Sequence, residues 1–178
     1  MESLSDQNLV DRARNGDARA FECLVTRHYE SVYRVAYRWC GIREDAEDIT
    51  QDVFVKVAGK IRTFEGRSSF RTWLYRVTMN TAMDFGRRRS TRRAFSEAWK
   101  AETHSSSENP GEEALAVQEL YAAIDALPPR QKAAALLVWA EGFTHKEAAG
   151  MLECAEATVS AHIFQAREKL NPLFAEKS

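Results

Sequence analysis

Aromatic residues and arginines alternate along residues 68–93 in a pattern that could serve nucleic-acid chemistry. Between residues 62 and 93, nine arginines are set against two acids, a local balance of +7 in a chain whose net charge is -1. Aromatic rings can stack on bases while guanidinium groups hold phosphates, so a protein that binds separated strands needs both residue types together. A solvated basic face that keeps the protein soluble is the alternative explanation. The residues are Phe70, Arg71, Trp73, Tyr75, Arg76 and Met79, followed by Arg87, Arg88, Arg89, Arg92 and Arg93.

Residues 44–52 carry five acids and no basic residue. On a helix, with about 100° between residues, the apolar residues here would form one buried stripe and the acids would share the other side with Val55. We expect no basic partner four residues away to offset the repulsion, so the face is either solvated or docks a basic protein partner. Such a surface cannot bind DNA directly. The acids are Glu44, Asp45, Glu47, Asp48 and Asp52, and the predicted stripe is Ala46, Ile49, Val53 and Val57.

Helical periodicity extends over most of the chain, which predicts an all-α fold. In a first domain, residues 1–93, we expect a short helix capped by Ser5, a longer helix ending at Gly41, and helices over about 45–61 and 69–85. The buried side of the long helix is predicted to consist of Phe21, Leu24, Val25, Val32, Val35, Ala36 and Trp39. Trp73 and Leu74 in the last of these helices are expected to belong to the core.

A polar segment, residues 94–113, contains a serine triplet and a Pro-Gly step and is predicted to be a flexible linker. A second small domain, residues 114–178, should then contain a helix that ends at Leu127, a break at two prolines and a helix to about Glu141. This half of the chain is acidic, with seven basic residues against 13 acids from residue 94 onward.

The second domain ends in a candidate helix-turn-helix, predicted from two short helices over 144–152 and 156–170. Thr144 and Glu147 have the spacing of a capping box. Small and branched residues, Ala148, Ala149, Val159 and Ile163, should allow the two helices to pack. The face predicted for the major groove consists of Thr158, Ser160, Ala161, His162 and Gln165. Because few of these residues are basic, attraction to phosphates should be weak.

Other classes of protein are disfavoured by composition. The hydrophobic content of 44% suits packed cores, and neither a leader segment nor an apolar run long enough to span a bilayer is present, so we expect a cytoplasmic protein without membrane insertion. Cys23, Cys40 and Cys154 form no close pair and are predicted to be reduced and mostly buried. Because neither metal-ligand spacing nor a nucleophile with a base is evident, we expect no metal, no cofactor and no enzymatic activity.

Taken together, these segments resemble the extracytoplasmic-function (ECF) group of alternative sigma factors of bacterial RNA polymerase. The resemblance covers nearly the whole chain and implies that the protein binds core polymerase, directs it to promoters and starts DNA opening at the minus-10 element. It also implies an anti-sigma factor as a partner. Residues 46–54 are similar to the family segment that docks on the polymerase β′ clamp helices, and the β flap is the expected contact of the second domain.

The resemblance assigns three sets of site residues. The polymerase-binding set is Asp45, Asp48, Gln51, Asp52, Phe54 and Val55. The minus-10 set is Phe64, Ser68, Ser69, Phe70, Arg71, Arg76, Asn80, Arg87 and Arg88, of which the first four line a base-capturing loop. The minus-35 set is Thr158, Ser160, Ala161, His162, Phe164, Gln165 and Arg167.

The chain departs from the family at the minus-35 set, because Ser160, His162 and Gln165 stand where basic residues are common and Ala157 stands where glycine is usual. Two alternatives remain at this point. A LuxR-type helix-turn-helix regulator would explain the C-terminal helices but leaves residues 44–85 unexplained. A sigma-like decoy that binds an anti-sigma factor would suit the acidic second half.

Overall fold

The computed structural model describes residues 4–97 and 122–175, with side chains described for 4–90 and 122–171. Over these residues the protein is helical and contains no strand, in agreement with the all-α prediction. The chain divides into two compact units, the first comprising Met1–Phe85 with Gly150–Glu153 and the second comprising Gly86–Ala149 with Cys154–Ser178. Most of the predicted linker lies outside the described residues. No described helix is both long and apolar enough to cross a membrane.

The first unit begins with three helices, α1 (Asp6–Arg14), α2 (Ala18–Cys40) and α3 (Arg43–Lys60). Ser5 caps α1 as predicted, because its hydroxyl accepts a bond from the Asn8 amide. Asp17 caps α2. The hydrogen bond from the Ala20 amide lowers the pKa of the Asp17 carboxyl most, and the hydrogen bond from the Arg12 side chain lowers it further. Gly41 ends α2 in the left-handed conformation at φ 68°, which glycine adopts without a steric penalty.

The core of this unit forms where α2 packs against α1 and α3. All four residues of the predicted stripe on α3 are buried, at 1% exposure or less. On α2 the prediction is confirmed for Leu24, Val32, Val35, Ala36 and Trp39. It was wrong for Phe21 and Val25, which are half-buried. Each follows a buried residue, Ala20 or Leu24, and is therefore rotated by about 100° away from the buried side of the helix.

After α3 comes a 3₁₀ turn (Ile61–Thr63), a loop of residues 64–69 and the long helix α4 (Phe70–Glu97). The expected end of this helix at residue 85 was wrong. A glycine inside a helix costs only about 1 kcal/mol relative to alanine, and the arginines after Gly86 are good helix formers. As a result the first residues of the predicted linker, 94–97, are helical.

From residue 122 onward the chain contains residues 122–125 in helical conformation, then α5 (Pro129–Ala135), a π turn (Leu136–Ala140), α6 (His145–Leu152) and α7 (Glu156–Ala175). The capping box is confirmed. The Glu147 carboxylate accepts from the Thr144 amide at 2.9 Å, and the Thr144 hydroxyl accepts from the Glu147 amide at 3.2 Å. The four packing residues predicted for the helix-turn-helix, Ala148, Ala149, Val159 and Ile163, are all buried. The three cysteines of the chain are half-buried rather than buried.

Two valines on α3 provide a matched test of this packing, because Val53 is 0% and Val55 66% exposed. Val53→Ala removes two methyl groups from the core and leaves a cavity, so it should lower the free energy of unfolding by about 2 kcal/mol. Val55→Ala should change it by less than about 0.5 kcal/mol. Urea unfolding followed by far-ultraviolet circular dichroism compares the two variants, and equal losses would contradict the orientation of α3.

Candidate docking and nucleic-acid interfaces

The outer side of α3 presents acids around an exposed apolar residue. Asp48, Gln51 and Asp52 are exposed, Asp45 is half-buried, and Val55 projects between them into solvent. The helix thus brings the predicted polymerase-binding residues onto the surface that its buried stripe leaves free.

One detail of the acidic segment differs from expectation. Arg43, just before the segment, forms an ion pair with Glu47 four residues later, with Nε 3.0 Å from the carboxylate. The bond to Glu47 raises the pKa of Arg43. The expectation that no acid has a basic partner at this spacing was therefore wrong for Glu47. Both side chains are largely exposed, so this pair offsets little of the repulsion among the other acids.

Phe54 is anchored to the neighbouring helix rather than free. Its ring stacks on that of Tyr29 from α2, with centroids 6.1 Å apart and an interplanar angle of 8°. Tyr29 is itself exposed, so the pair extends the apolar part of the α3 surface onto α2. Sequence analysis missed Tyr29. The signal that could have found it is the spacing of Tyr29, Tyr33 and Tyr37, which puts three tyrosines on one side of α2.

The base of loop 64–69 is an aromatic cluster. Phe64 and Phe70 are 4% and 3% exposed, and the ring centroid of Trp73 lies 5.1 Å and 5.8 Å from theirs. His28 also meets the edge of Phe70, and its Nε2 lies 2.9 Å from an Asp6 carboxylate oxygen. Phe64 and Phe70 were predicted to line the loop. The structure instead buries both rings at the base of the loop. Burial of two phenyl rings against each other lowers the free energy more than exposure of either ring to water does.

The loop itself is exposed from residue 65 to 69. Gly66 turns the chain with a φ of 71°. Across this turn, Nε of Arg67 lies 2.6 Å from Oε2 of Glu65 in an ion pair. The Ser69 hydroxyl has a structural role. It accepts a hydrogen bond from the Thr72 amide at 3.1 Å and so caps the first turn of α4. Its neighbour Ser68 has only a long bond, 3.4 Å, to the Ser69 carbonyl oxygen. Ser68 is therefore the serine of this loop whose hydroxyl is more available to a ligand.

After its first turn, α4 separates into a buried and an exposed side. Leu74 is fully buried as predicted, and Tyr75 and Met79 are buried as well, whereas Trp73 is half-buried. Of the six predicted minus-10 residues on this helix, Phe70 is buried and the other five are exposed. At about 100° per residue, Arg76, Asn80 and Arg87 fall on one face, Arg88 lies about 100° round the helix from that face, and Arg71 in the first turn lies nearly opposite it. These exposed residues are Arg71, Arg76, Asn80, Arg87 and Arg88.

The candidate minus-35 face of α7 carries Phe164, 65% exposed, and mostly exposed neighbours. The others are Thr158, Ser160, Ala161, Gln165 and Arg167, all exposed, with His162 half-buried. Ser160 lies 2.9 Å from Nδ1 of His145 on α6, and Gln165 accepts a 2.6 Å bond from Gln131 on α5. Sequence analysis missed both of these supporting residues, since contacts between distant parts of the chain leave no periodic signal.

Comparison with known proteins identifies the class of this two-part helical protein. Residues 24–93 match the model of sigma-70 region 2, and residues 117–170 match that of sigma-70 region 4. An ECF RNA polymerase sigma-E factor of Haemophilus influenzae is 34% identical over 187 residues, covering 97% of this chain and 98% of that protein. The sigma-E factor of Escherichia coli K12 is 33% identical over 184 residues, covering 96% and 94%.

Solved structures agree with this class. CnrH in complex with the cytosolic domain of CnrY superposes with a TM-score of 0.72 at 25% identity, covering 97% of this chain and 99% of that one. The sigma factor RpoE, bound to the anti-sigma factor NepR from Bartonella quintana, shares the fold with a TM-score of 0.67 over 89% of this chain and 98% of its own. The chain belongs to the ECF sigma factors of RNA polymerase and is an alternative sigma factor.

The two serines of the loop allow a test of its construction. Ser69→Ala leaves the Thr72 amide without its cap and should lower the free energy of unfolding by about 1 kcal/mol. Ser68→Ala removes a weakly bonded, exposed hydroxyl and should change stability by less than about 0.5 kcal/mol. Thermal unfolding of both variants measures the difference. Equal stability of the two would mean that the Ser69 cap does not hold α4.

Proposed function

We propose that the three sets of residues divide the work of transcription initiation. The acidic side of α3 docks on core polymerase, loop 64–69 with α4 captures and holds the opened minus-10 strand, and α7 contacts the minus-35 element. The observation that carries the proposal is the segregation of charge, which places acids on α3 and cations on the exposed side of α4. Run-off transcription with core polymerase on a promoter library tests it as a whole.

The proposed docking surface combines charge with apolar contact. Its acids repel DNA and attract basic residues, which is the complement expected of the β′ clamp helices. Val55 and the Phe54–Tyr29 pair supply an apolar area that would be buried when a partner binds. Charge would then set the orientation and rate of encounter, and apolar burial would hold the complex.

Opening of the duplex requires that a base leave the stack, at a cost of a few kcal/mol. Contact with an aromatic side chain returns about 1–3 kcal/mol per base. Because Phe64 and Phe70 are buried, we propose that they hold the loop in shape while its exposed residues and the half-buried Trp73 face the captured base. Arg76, Asn80 and Arg87 on α4 would hold the phosphates of the separated strand.

The second unit should depend on the polymerase for affinity. Its α7 face offers polar and apolar groups suited to base edges but little positive charge, so phosphate contacts alone would hold it weakly. Contact with the β flap would position it over the minus-35 element. An anti-sigma factor is a further proposed partner. We propose that the protein works in the cytoplasm, with the transcription machinery, and acts by binding rather than by catalysis.

The match of both halves to sigma-70 regions favours this function over a LuxR-type regulator, which would lack a counterpart of the first unit. A sigma-like decoy remains distinguishable by the same run-off assay. A functional sigma factor yields transcripts from specific promoters with core polymerase, whereas a decoy yields none.

For the docking surface, Asp48→Ala combined with Gln51→Ala should weaken binding to core polymerase by about tenfold, or ~1.4 kcal/mol, without loss of stability. A matched control is Asp11→Ala combined with Gln7→Ala, which removes the same two residue types from exposed positions on α1. Pull-down titration with core polymerase measures both. Binding by the Asp48/Gln51 variant equal to that of the wild type refutes the docking assignment.

For the melting surface, Arg76→Ala with Asn80→Ala should reduce open-complex formation at least about tenfold while leaving core binding intact. The physical reason is the loss of contacts that exist only after the strands part. Arg19→Ala, an exposed arginine on α2, serves as the charge control. Permanganate reactivity of unpaired thymines reports opening, and unchanged reactivity in the double variant would count against the assignment.

A further inference from the structure

Three side chains of the second unit form a hydrogen-bonded chain that ends on the minus-35 face. Lys169 of α7 donates through Nζ to Oε1 of Gln131 at 3.2 Å. Gln131 of α5 donates through Nε2 to Oε1 of Gln165 at 2.6 Å. Gln131 is buried, at 8% exposure, whereas Gln165 and Lys169 are exposed on α7. α5 packs directly against α7, so this chain joins a supporting helix to the candidate recognition helix.

The direction of every bond in this chain follows from its first member. A lysine ammonium group has three donors and no acceptor, so the Gln131 atom that faces it must be the oxygen. The Gln131 amide then points its NH₂ group at Gln165, and the Gln165 atom that meets it must be an oxygen as well. A reversed Gln131 amide would set NH₂ against the ammonium and leave a buried polar group without its partner, at a cost of about 1–3 kcal/mol.

We propose that Gln131 and Lys169 are positioning residues that make Gln165 a hydrogen-bond donor toward DNA. The inference rests on the proposed minus-35 role of α7. With its oxygen held by α5, Gln165 presents its NH₂ group to the major groove and contacts a base that offers an acceptor there. Guanine offers O6 and N7, thymine offers O4 and adenine offers N7, whereas cytosine offers only the N4 donor. The usual bidentate pairing of glutamine with adenine is disfavoured, because it requires the oxygen of the side chain.

The experiment compares holoenzymes assembled with core polymerase and full-length wild-type, Gln131→Glu, Gln131→Met or Gln165→Ala protein. Each is assayed on promoters carrying all four base pairs at every minus-35 position. The wild type should prefer guanine or thymine over cytosine by about tenfold at one position, the contribution expected of one hydrogen bond. Gln165→Ala should remove that preference and so identify the position.

The two substitutions at Gln131 should act differently at that same position. A glutamate at residue 131 can only accept, so Gln165 must turn its NH₂ group inward and present its oxygen to the groove. The preference should then reverse toward cytosine or adenine, whose amino groups are donors. Gln131→Met fills the space without a hydrogen bond, so it should reduce the preference to within about twofold. Preferences at the other minus-35 positions should be unchanged in both variants.

Reversal by Gln131→Glu is an effect that a merely structural role of Gln131 would not produce. If that variant fails to fold, as judged by circular dichroism, Gln131→Met and Lys169→Met decide the matter, and both should relax the same position. A wild-type preference that these variants leave unaltered overturns the inference. Absence of any minus-35 preference in the wild type, with transcription intact, would instead contradict the minus-35 role of α7 itself.

Discussion

The burial of one stripe of α3 against α2 is the constraint on which the candidate docking surface depends. Ala46, Ile49, Val53 and Val57 are almost completely removed from water, and this fixes the rotation of the helix about its axis. Because successive residues are about 100° apart, Asp48 and Asp52 must then face outward, while Asp45 at the edge of the stripe is half-buried. A rotation that buried Asp48 or Asp52 would remove a charge from water without a partner, which costs far more than the four apolar contacts gain.

The same reasoning applies to α4, which serves two purposes along one helix. Leu74, Tyr75 and Met79 pack into the first unit, and this packing orients Arg76 and Asn80 toward solvent. Beneath the loop that precedes the helix, the rings of Phe64 and Phe70 provide a firm support. In the proposed capture of an extruded base, such a support would reduce the conformational entropy that the loop loses when the base binds.

Local features of the fold were predictable from sequence, and contacts between distant residues were not. The caps by Ser5 and Thr144 and the stripe of α3 follow from spacing within a few residues, so they were foreseen correctly. The burial of Phe64 and Phe70 was missed, because an aromatic residue near arginines has the same local pattern whether it stacks on a base or on another ring. The partners of Ser160 and Gln165 lie 15 and 34 residues away, at distances where sequence periodicity carries no information.

These distant contacts matter most in the second unit, where charge is scarce. A recognition helix rich in arginine obtains affinity from phosphates and can tolerate loosely held side chains. In the proposed minus-35 role, the polar groups of α7 would instead discriminate by the direction of their hydrogen bonds, and a freely rotating amide offers donor and acceptor with equal ease. The hydrogen bond from Gln131 on α5 fixes the Gln165 amide and removes that ambiguity before DNA binds. The side-chain entropy of Gln165 is then lost on folding and not on binding. Under this proposal, weak charge and a fixed hydrogen-bond direction belong together, because affinity would come from the polymerase and selectivity from the helix.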